Sequence, residues 1–137
     1  MLFPKKVKHR KWQTKRIKTD GKVESRGSRL AFGSYGIKAT SAARITSNQI
    51  ESARRAMVRK LGKSAKVWIR IFPDRPFTKK PAQVKMGKGK GNPEGFQAET
   101  FPGRIIFEVD NVDEETAREA LRKAGTKLPI TTRIVAR

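Results

Sequence analysis

A net charge of +21 on 137 residues limits what this chain can fold into. Like charges on a small body repel one another, and a compact state tolerates them best when a partner of opposite sign neutralises them. The distribution sharpens the constraint. Residues 1–107 hold 27 bases and 6 acids, whereas residues 108–137 hold 6 of each. The last part therefore reads as ordinary protein surface and the rest as a polyanion binder. Nucleic acid is the leading partner. An anionic membrane would need a polybasic amphipathic helix or a lipid anchor, and neither pattern stands out. No run approaches the roughly 18–20 apolar residues of a membrane span.

Several chemistries are excluded outright. Without cysteine there is no disulfide, thiolate metal site or cysteine nucleophile. The one histidine, His9, lies between Lys8 and Arg10 and reads as one more polar residue of a basic arm. A metal site built from histidines is excluded with it. The rival class of an enzyme acting on RNA would need an acid–base group in a cleft, and half of the acids fall in 108–119, where helix polarity and charge balance already account for them. Neither metal nor cofactor is expected. The length suits one domain with one modest core. Residues 1–18 lack an apolar signal-peptide core, and they are lysine-rich and serine-free, unlike a transit peptide.

Residues 1–28 read as an extended basic arm carrying Lys5, Lys6, Lys8, Arg10, Lys11, Lys15 and Arg16, with a short strand expected at 22–25 after the Asp20-Gly21 turn. Trp12, inside the basic run, either stacks on a base or covers the edge of the core. Two short β segments are expected at 30–32 and 35–37 around Gly33-Ser34. Thr46-Ser47-Asn48-Gln49 is a capping-box pattern. Ile50, Ala53, Met57 and Leu61 follow at helical spacing, and Gly62 ends the run. Arg55 and Arg59 lie on the opposite face, with few acids nearby, and are candidates for phosphate contact.

Alternation over 66–72 predicts a strand that Pro73 stops. Residues 96–100 and 104–109 read as a hairpin joined at Phe101-Pro102-Gly103. Asp113 should cap a second helix with Ala117, Ala120, Leu121 and Ala124 buried and Gly125 at its end. Ile130, Thr132 and Ile134 alternate in a last strand. The order predicts an α+β fold with a largely antiparallel sheet and two helices packed on it.

Residues 73–95 remain as a long basic loop, with KKPAQVKMGKGKGNPEGF at 79–96. Gly87-Lys88-Gly89-Lys90-Gly91-Asn92 fits neither G-x-x-x-x-G-K-[ST] nor G-x-G-x-x-G, and strand rather than helix follows it, so a nucleotide cradle is disfavoured. Glycines let main-chain N–H groups approach phosphates, and lysines displace counterions. Arm, first helix and loop make three basic surfaces around one small core. A folded RNA offers phosphates on several sides, and unstacked bases for Trp12, Tyr35 or Phe77. Two helices about fifty residues apart do not suit a helix-turn-helix. The rival reading is a general nucleic-acid-binding or packaging protein.

The opening MLFPKK, FGSYGIKA at 32–39, ITSNQIESARRAM at 45–57, KVWIRIFPDRPFTKKPAQVKMGKGKG at 66–91, GRIIFEV, and EETAREALRKAGTKLP resemble the bacterial-type large-subunit ribosomal protein number sixteen family. The likeness runs essentially end to end. It implies an α+β fold of the hammerhead type over a single RNA-binding domain, 1–137. It also implies binding to large-subunit ribosomal RNA beside the aminoacyl site, with 5S RNA and neighbouring ribosomal proteins close by. Aminoacyl-site transfer RNA would touch the protein, with peptidyl-site transfer RNA as a further candidate. The basic loop would point towards the peptidyl transferase centre, which the family helps to complete late in assembly. No catalytic residue, no membrane and no homo-oligomer are implied, and the location is the cytoplasmic large subunit. The ribosomal RNA contacts fall on the arm residues above, on Arg55 and Arg59, and on Lys79 and Lys80. The family signature R-M-G-x-G-K-G falls on Lys85, Met86, Gly87, Lys88, Gly89, Lys90 and Gly91. Lys85 departs from the usual arginine, exchanging a planar fork for a point charge. Glu94 is followed by Gly95-Phe96 in place of the usual aromatic pair.

Overall fold

The computed structural model of the chain describes residues 1–18 and 20–137. Its elements in chain order are β1 (Tyr35–Ala39), β2 (Ala43–Thr46), α1 (Ser47–Leu61), β3 (Lys66–Ile69), β4 (Arg75–Lys79), β5 (Asn92–Thr100), β6 (Ile105–Asp110), α2 (Glu114–Gly125) and β7 (Thr132–Ala136). The fold is α+β, as expected, but the strands divide between two antiparallel sheets instead of forming one. The larger has the order β3-β6-β1-β7 and the smaller β2-β5-β4.

The helices form where the sequence marks them. The Thr46 hydroxyl accepts from the Gln49 N–H, and the Gln49 side chain accepts from the Thr46 N–H, closing the capping box of α1. Ile50, Ala53, Met57 and Leu61 are all buried. Asp113 caps α2 by accepting from the Thr116 N–H, and Glu114 and Glu115 in the first turn favour the helix dipole. Ala117, Ala120, Leu121 and Ala124 form its buried stripe. These side chains pack on Ile37, Phe107 and Val109 of the larger sheet, making one core. Gly125 does not end α2 as a left-handed cap, because the next residue, Thr126, is still right-handed helical. Its role is closeness: a Cβ there would lie 2.7 Å from Thr132 Oγ1 and 3.1 Å from Ile37 Cδ1.

Five expectations differ from the structure. Residues 22–25 form no strand, and make one rung only, from the Glu24 N–H to the Pro102 carbonyl at 2.9 Å. Residues 30–32 are not β either, because the N–H groups of Ala31 and Phe32 are turned onto the Glu108 side chain. Strand β3 stops at Ile69, with one further bond from the Arg70 N–H to Ile106, before the chain leaves towards the buried Pro73. The strands either side of Pro102-Gly103 are not a hairpin. The turn exists, with the Arg104 N–H donating to the Phe101 carbonyl, but it is a corner between sheets. Beyond it the Ala39 N–H donates to Arg104 and β6 takes β1 and β3 as partners.

The fifth difference concerns the long loop of 73–95. Its two ends pair as a ribbon, β4 with β5, and 80–91 form the tip between them. Pro76 lies within β4. It is accommodated because β4 is the outer strand of its sheet, so a missing N–H faces no partner.

One buried carboxylate binds the segment before β1 to the sheet. Glu108 on β6 is fully buried and accepts from the N–H groups of Ala31, Phe32 and Gly33 at 2.9, 2.7 and 2.9 Å, and from Arg70. Gly33 permits this approach, since a Cβ there would fall 2.5 Å from the Val109 carbonyl oxygen. Burial raises the Glu108 pKa, but the three N–H groups and Arg70 outweigh it and hold the carboxyl below its ordinary value. Because the folded-state value is depressed, this stabilisation is present above the unfolded glutamate's 4.5 and is lost as pH falls through the folded one. Glu108→Gln should therefore cost about 3 kcal/mol at neutral pH, since Arg70 loses its buried partner. Urea unfolding followed by circular dichroism should show that cost shrinking as the pH falls from 7 to 3.

Candidate RNA interface

The arm has almost no secondary structure of its own, yet it has a defined course. Met1 lies by the outer face of α1, and Leu2 packs against the core. The Phe3 ring meets Phe96 of β5 edge-on at 6.3 Å. Farther on, main-chain carbonyls of the arm are held by cations of the smaller sheet and its ribbon. Lys90 donates to the Trp12 carbonyl, Arg75 to the Gln13 carbonyl at 3.1 Å, and Arg44 to the Lys15 carbonyl. The Arg75 guanidinium also lies over the Trp12 ring at 5.5 Å. Trp12 thus lies against Arg75 of the outer strand β4, while 41% of it stays exposed.

These clasps answer an electrostatic problem. Too few acids are available to pair the cations of 1–107, so carbonyl oxygens take part of that role. Glu99 supplies one shared carboxylate, 2.9 Å from Arg44 and 3.8 Å from Arg75. The side chains of Lys5, Lys6, Lys8, Arg10, Lys11, Lys15 and Arg16 remain in solvent, with no ion pair among the described residues. Neither Arg44 nor Arg75 is evident from the sequence as a positioning residue. Only the register that sets Arg44 opposite Glu99 on β2 and β5 brings them together.

The tip is a tight, fully exposed turn. Gly87, Lys88 and Gly89 all have positive φ, at 104°, 55° and 101°, conformations that glycine adopts without strain. The Lys80 ammonium donates to the Gly87 carbonyl at 2.6 Å, which folds the tip back on its root. The tip surrounds a hollow of about 570 Å³, whose lining includes Val84, Lys85, Met86 and Gly91. Lys79, Lys80, Lys85, Lys88 and Lys90 make no ion pair among the described residues. Below the tip, Gly95 sits opposite Phe77 in the ribbon, and a Cβ on it would be 3.2 Å from that ring. Phe77 therefore covers the position where an aromatic residue is usual.

The basic face of α1 is better paired than its sequence suggests. Glu51 accepts from Arg54 at 3.0 and 2.6 Å and from Arg55 at 3.1 Å. The Arg54 hydrogen bonds, aided by Arg55 and opposed by burial, pull its carboxyl down to about 2. Arg55 stays 71% exposed, so its pair is weak and open to exchange for a phosphate. Arg59 has no ion pair among the described residues. Both arginines border a hollow of about 450 Å³ with Met1, Asn48, Ser52 and Lys127. The arm thus joins this face to the ribbon, and the three basic surfaces form one connected band. Among the described residues no cluster of His, Asp and Glu suits a metal ion.

Comparison with known proteins gives this band its family. Residues 4–135 match the family described as ribosomal protein L16p/L10e. The chain belongs to the ribosomal protein L16p/L10e family. It is accordingly a ribosomal protein, a structural component rather than an enzyme. Two relatives bear the name large ribosomal subunit protein uL16. That of Parabacteroides distasonis is 55% identical over 137 residues, covering 100% of this chain and 93% of the relative. That of Azobacteroides pseudotrichonymphae is 54% identical over the same span, with 94% of the relative covered. In this L16p/L10e member the signature residues 85–91 all fall in the tip, and Lys85 projects into solvent there.

If the carbonyl clasps hold the arm, Arg44→Ala combined with Arg75→Ala should release it. Limited trypsin digestion should then cut after Lys11, Lys15 or Arg16 several-fold faster, with the core elements still resistant. Unchanged arm cleavage would show that the clasps carry no weight.

Proposed function

We propose that this protein is a structural component of the cytoplasmic large ribosomal subunit that uses its connected basic band to bind large-subunit ribosomal RNA beside the aminoacyl site. The arm cations and the Arg55–Arg59 face attach it, and Lys79 and Lys80 hold the root of the ribbon. The tip, 85–91, reaches towards aminoacyl-site transfer RNA and the peptidyl transferase region. 5S RNA and neighbouring ribosomal proteins border it, and its docking helps that region to form late in assembly. The observation that carries this division of labour is the tip itself: a fully exposed, acid-free turn on a two-stranded ribbon, far more cationic than its own packing needs. Its glycines present main-chain N–H groups to phosphate, and its lysines release counterions when they meet one. A packaging protein would have no use for a projecting turn, since duplex phosphates are reached by any basic face.

The protein should sediment with large subunits from lysate, and recovery only as a free monomer would overturn the reading. Binding to ribosomal RNA fragments should weaken with salt at a log–log slope of about −0.7 to −0.9 per neutralised phosphate. Deleting residues 2–16 should reduce that slope in magnitude. Replacing Lys85, Lys88 and Lys90 together by alanine should slow transfer RNA accommodation more than it weakens attachment to the subunit. Equal loss of both would refute the separate role of the tip.

A further inference from the structure

The larger sheet has one face on the helices and another turned away from them, and the second face lies outside the basic band described above. Strand alternation sets Trp68, Arg70, Glu108, Lys38 and Arg133 on it. The segment 30–33 lies across this face, fixed by Glu108. There Phe32 stacks on Trp68, with ring centres 5.9 Å apart and planes 19° from parallel, and the Arg70 guanidinium lies 5.2 Å from the Phe32 ring centre. Even so, 54% of Phe32 is exposed, and 47% of Phe72, two residues beyond Arg70.

An exposed phenylalanine alone means little, since single apolar residues are common on surfaces. This one differs in being immobilised. Its own N–H is bound to Glu108 at 2.7 Å, and its ring is held by Trp68 and Arg70. A ring held in place on a residue that stays 54% exposed loses little freedom when another ring packs on it. The surroundings select the partner. Arg29, Lys38, Arg133 and Arg137 border the face, while its acids, Glu108 and Asp110, are already bonded, Asp110 to the Ser34 hydroxyl at 2.8 Å. An apolar protein surface would leave those cations unpaired. A base carrying its own phosphate satisfies both the ring and the charges.

We propose that the sheet face turned away from the helices is a second RNA surface, on which an unpaired nucleobase stacks against Phe32. This rests on the reading that the protein's polyanion is RNA. It adds a contact to a base, where the arm, ribbon and tip contact backbone.

The test uses the full chain and a single-stranded oligoadenylate of about 12 nucleotides, a length such surfaces commonly cover, against an RNA duplex of equal length. Fluorescence anisotropy is read at moderately high salt, where phosphate contacts are weakened. Phe32→Leu, which keeps apolar bulk and removes the π-face, should weaken single-strand binding about fivefold or more, leave the duplex unchanged, and be rescued by Phe32→Tyr. Irradiation of a 5-iodouridine-substituted strand should crosslink the peptide carrying Phe32. Unchanged single-strand affinity in Phe32→Leu, or equal loss on both RNAs, would overturn the proposal. So would intact RNA binding accompanied by poorer retention on washed subunits, which would indicate a protein partner on this face. Failure of the ribosomal reading would appear separately, as wild-type protein absent from large subunits.

Discussion

The carboxylate of Glu108 organises this molecule. It is a single negative charge inside a protein of net charge +21, fully buried and enclosed by three main-chain N–H groups and one guanidinium. Its desolvation is tolerable only because every contact is a charge-assisted hydrogen bond. Through it the irregular segment before β1 becomes part of the sheet, Arg70 acquires a fixed position, and Phe32 is laid on Trp68. The residues either side of Glu108 in β6, Phe107 and Val109, contribute to the opposite, helix-facing side. One strand thus carries an apolar core on one face and an electrostatic anchor on the other.

Elsewhere the protein handles excess positive charge by spacing and by carbonyl oxygens. Among the paired acids, Glu99 joins neighbouring strands and Glu119 joins the helices, where it meets Lys60 at 2.8 Å, while Glu51 and Glu114 pair within their own helices. Lys90, and Arg44 and Arg75, which share the single carboxylate of Glu99, also donate to main-chain carbonyls and draw the arm along the smaller sheet. The remaining lysines and arginines are directed outward over the arm, α1 and tip. Their mutual repulsion is the reason a compact body of this size gains from an RNA partner. The clasped arm also means that part of the binding surface is arranged before RNA arrives, which lowers the ordering cost of association.

The ribbon extends the same logic. Pairing β4 with β5 turns what would be a long flexible loop into a two-stranded projection, with Phe77 over Gly95 and Phe3 against Phe96 along its length. Only its last turn is left without side-chain packing. A cationic tip on such a support can be delivered to a defined point, whereas the same residues on an unpaired loop would sample a large volume.

Local signals were legible in the residues. Both helices, their caps and their buried stripes follow from spacing of 3.6 and from Thr46, Gln49 and Asp113, because a helix satisfies its hydrogen bonds within itself. The cationic character of the arm, α1 and tip is likewise a property of composition, and the resemblance of the motifs already pointed to the family. What the sequence could not decide was which strand pairs with which. Pro102-Gly103 makes a turn in either case; only the pairing of β6 with β1 and β3, and not with β5, makes it a corner between sheets. β4 read as part of the long loop, since its pairing with β5, which leaves Pro76 on an edge strand, exists only after the sheet is assembled. Glu108 read as one of six acids near α2, and Arg44 and Arg75 as two bases among many. Their roles arise from partners 38 to 77 residues away, for Glu108, and from cross-strand register for the arginines. Local chemistry is written in neighbouring residues, but contacts across the chain belong to the tertiary structure that closes them.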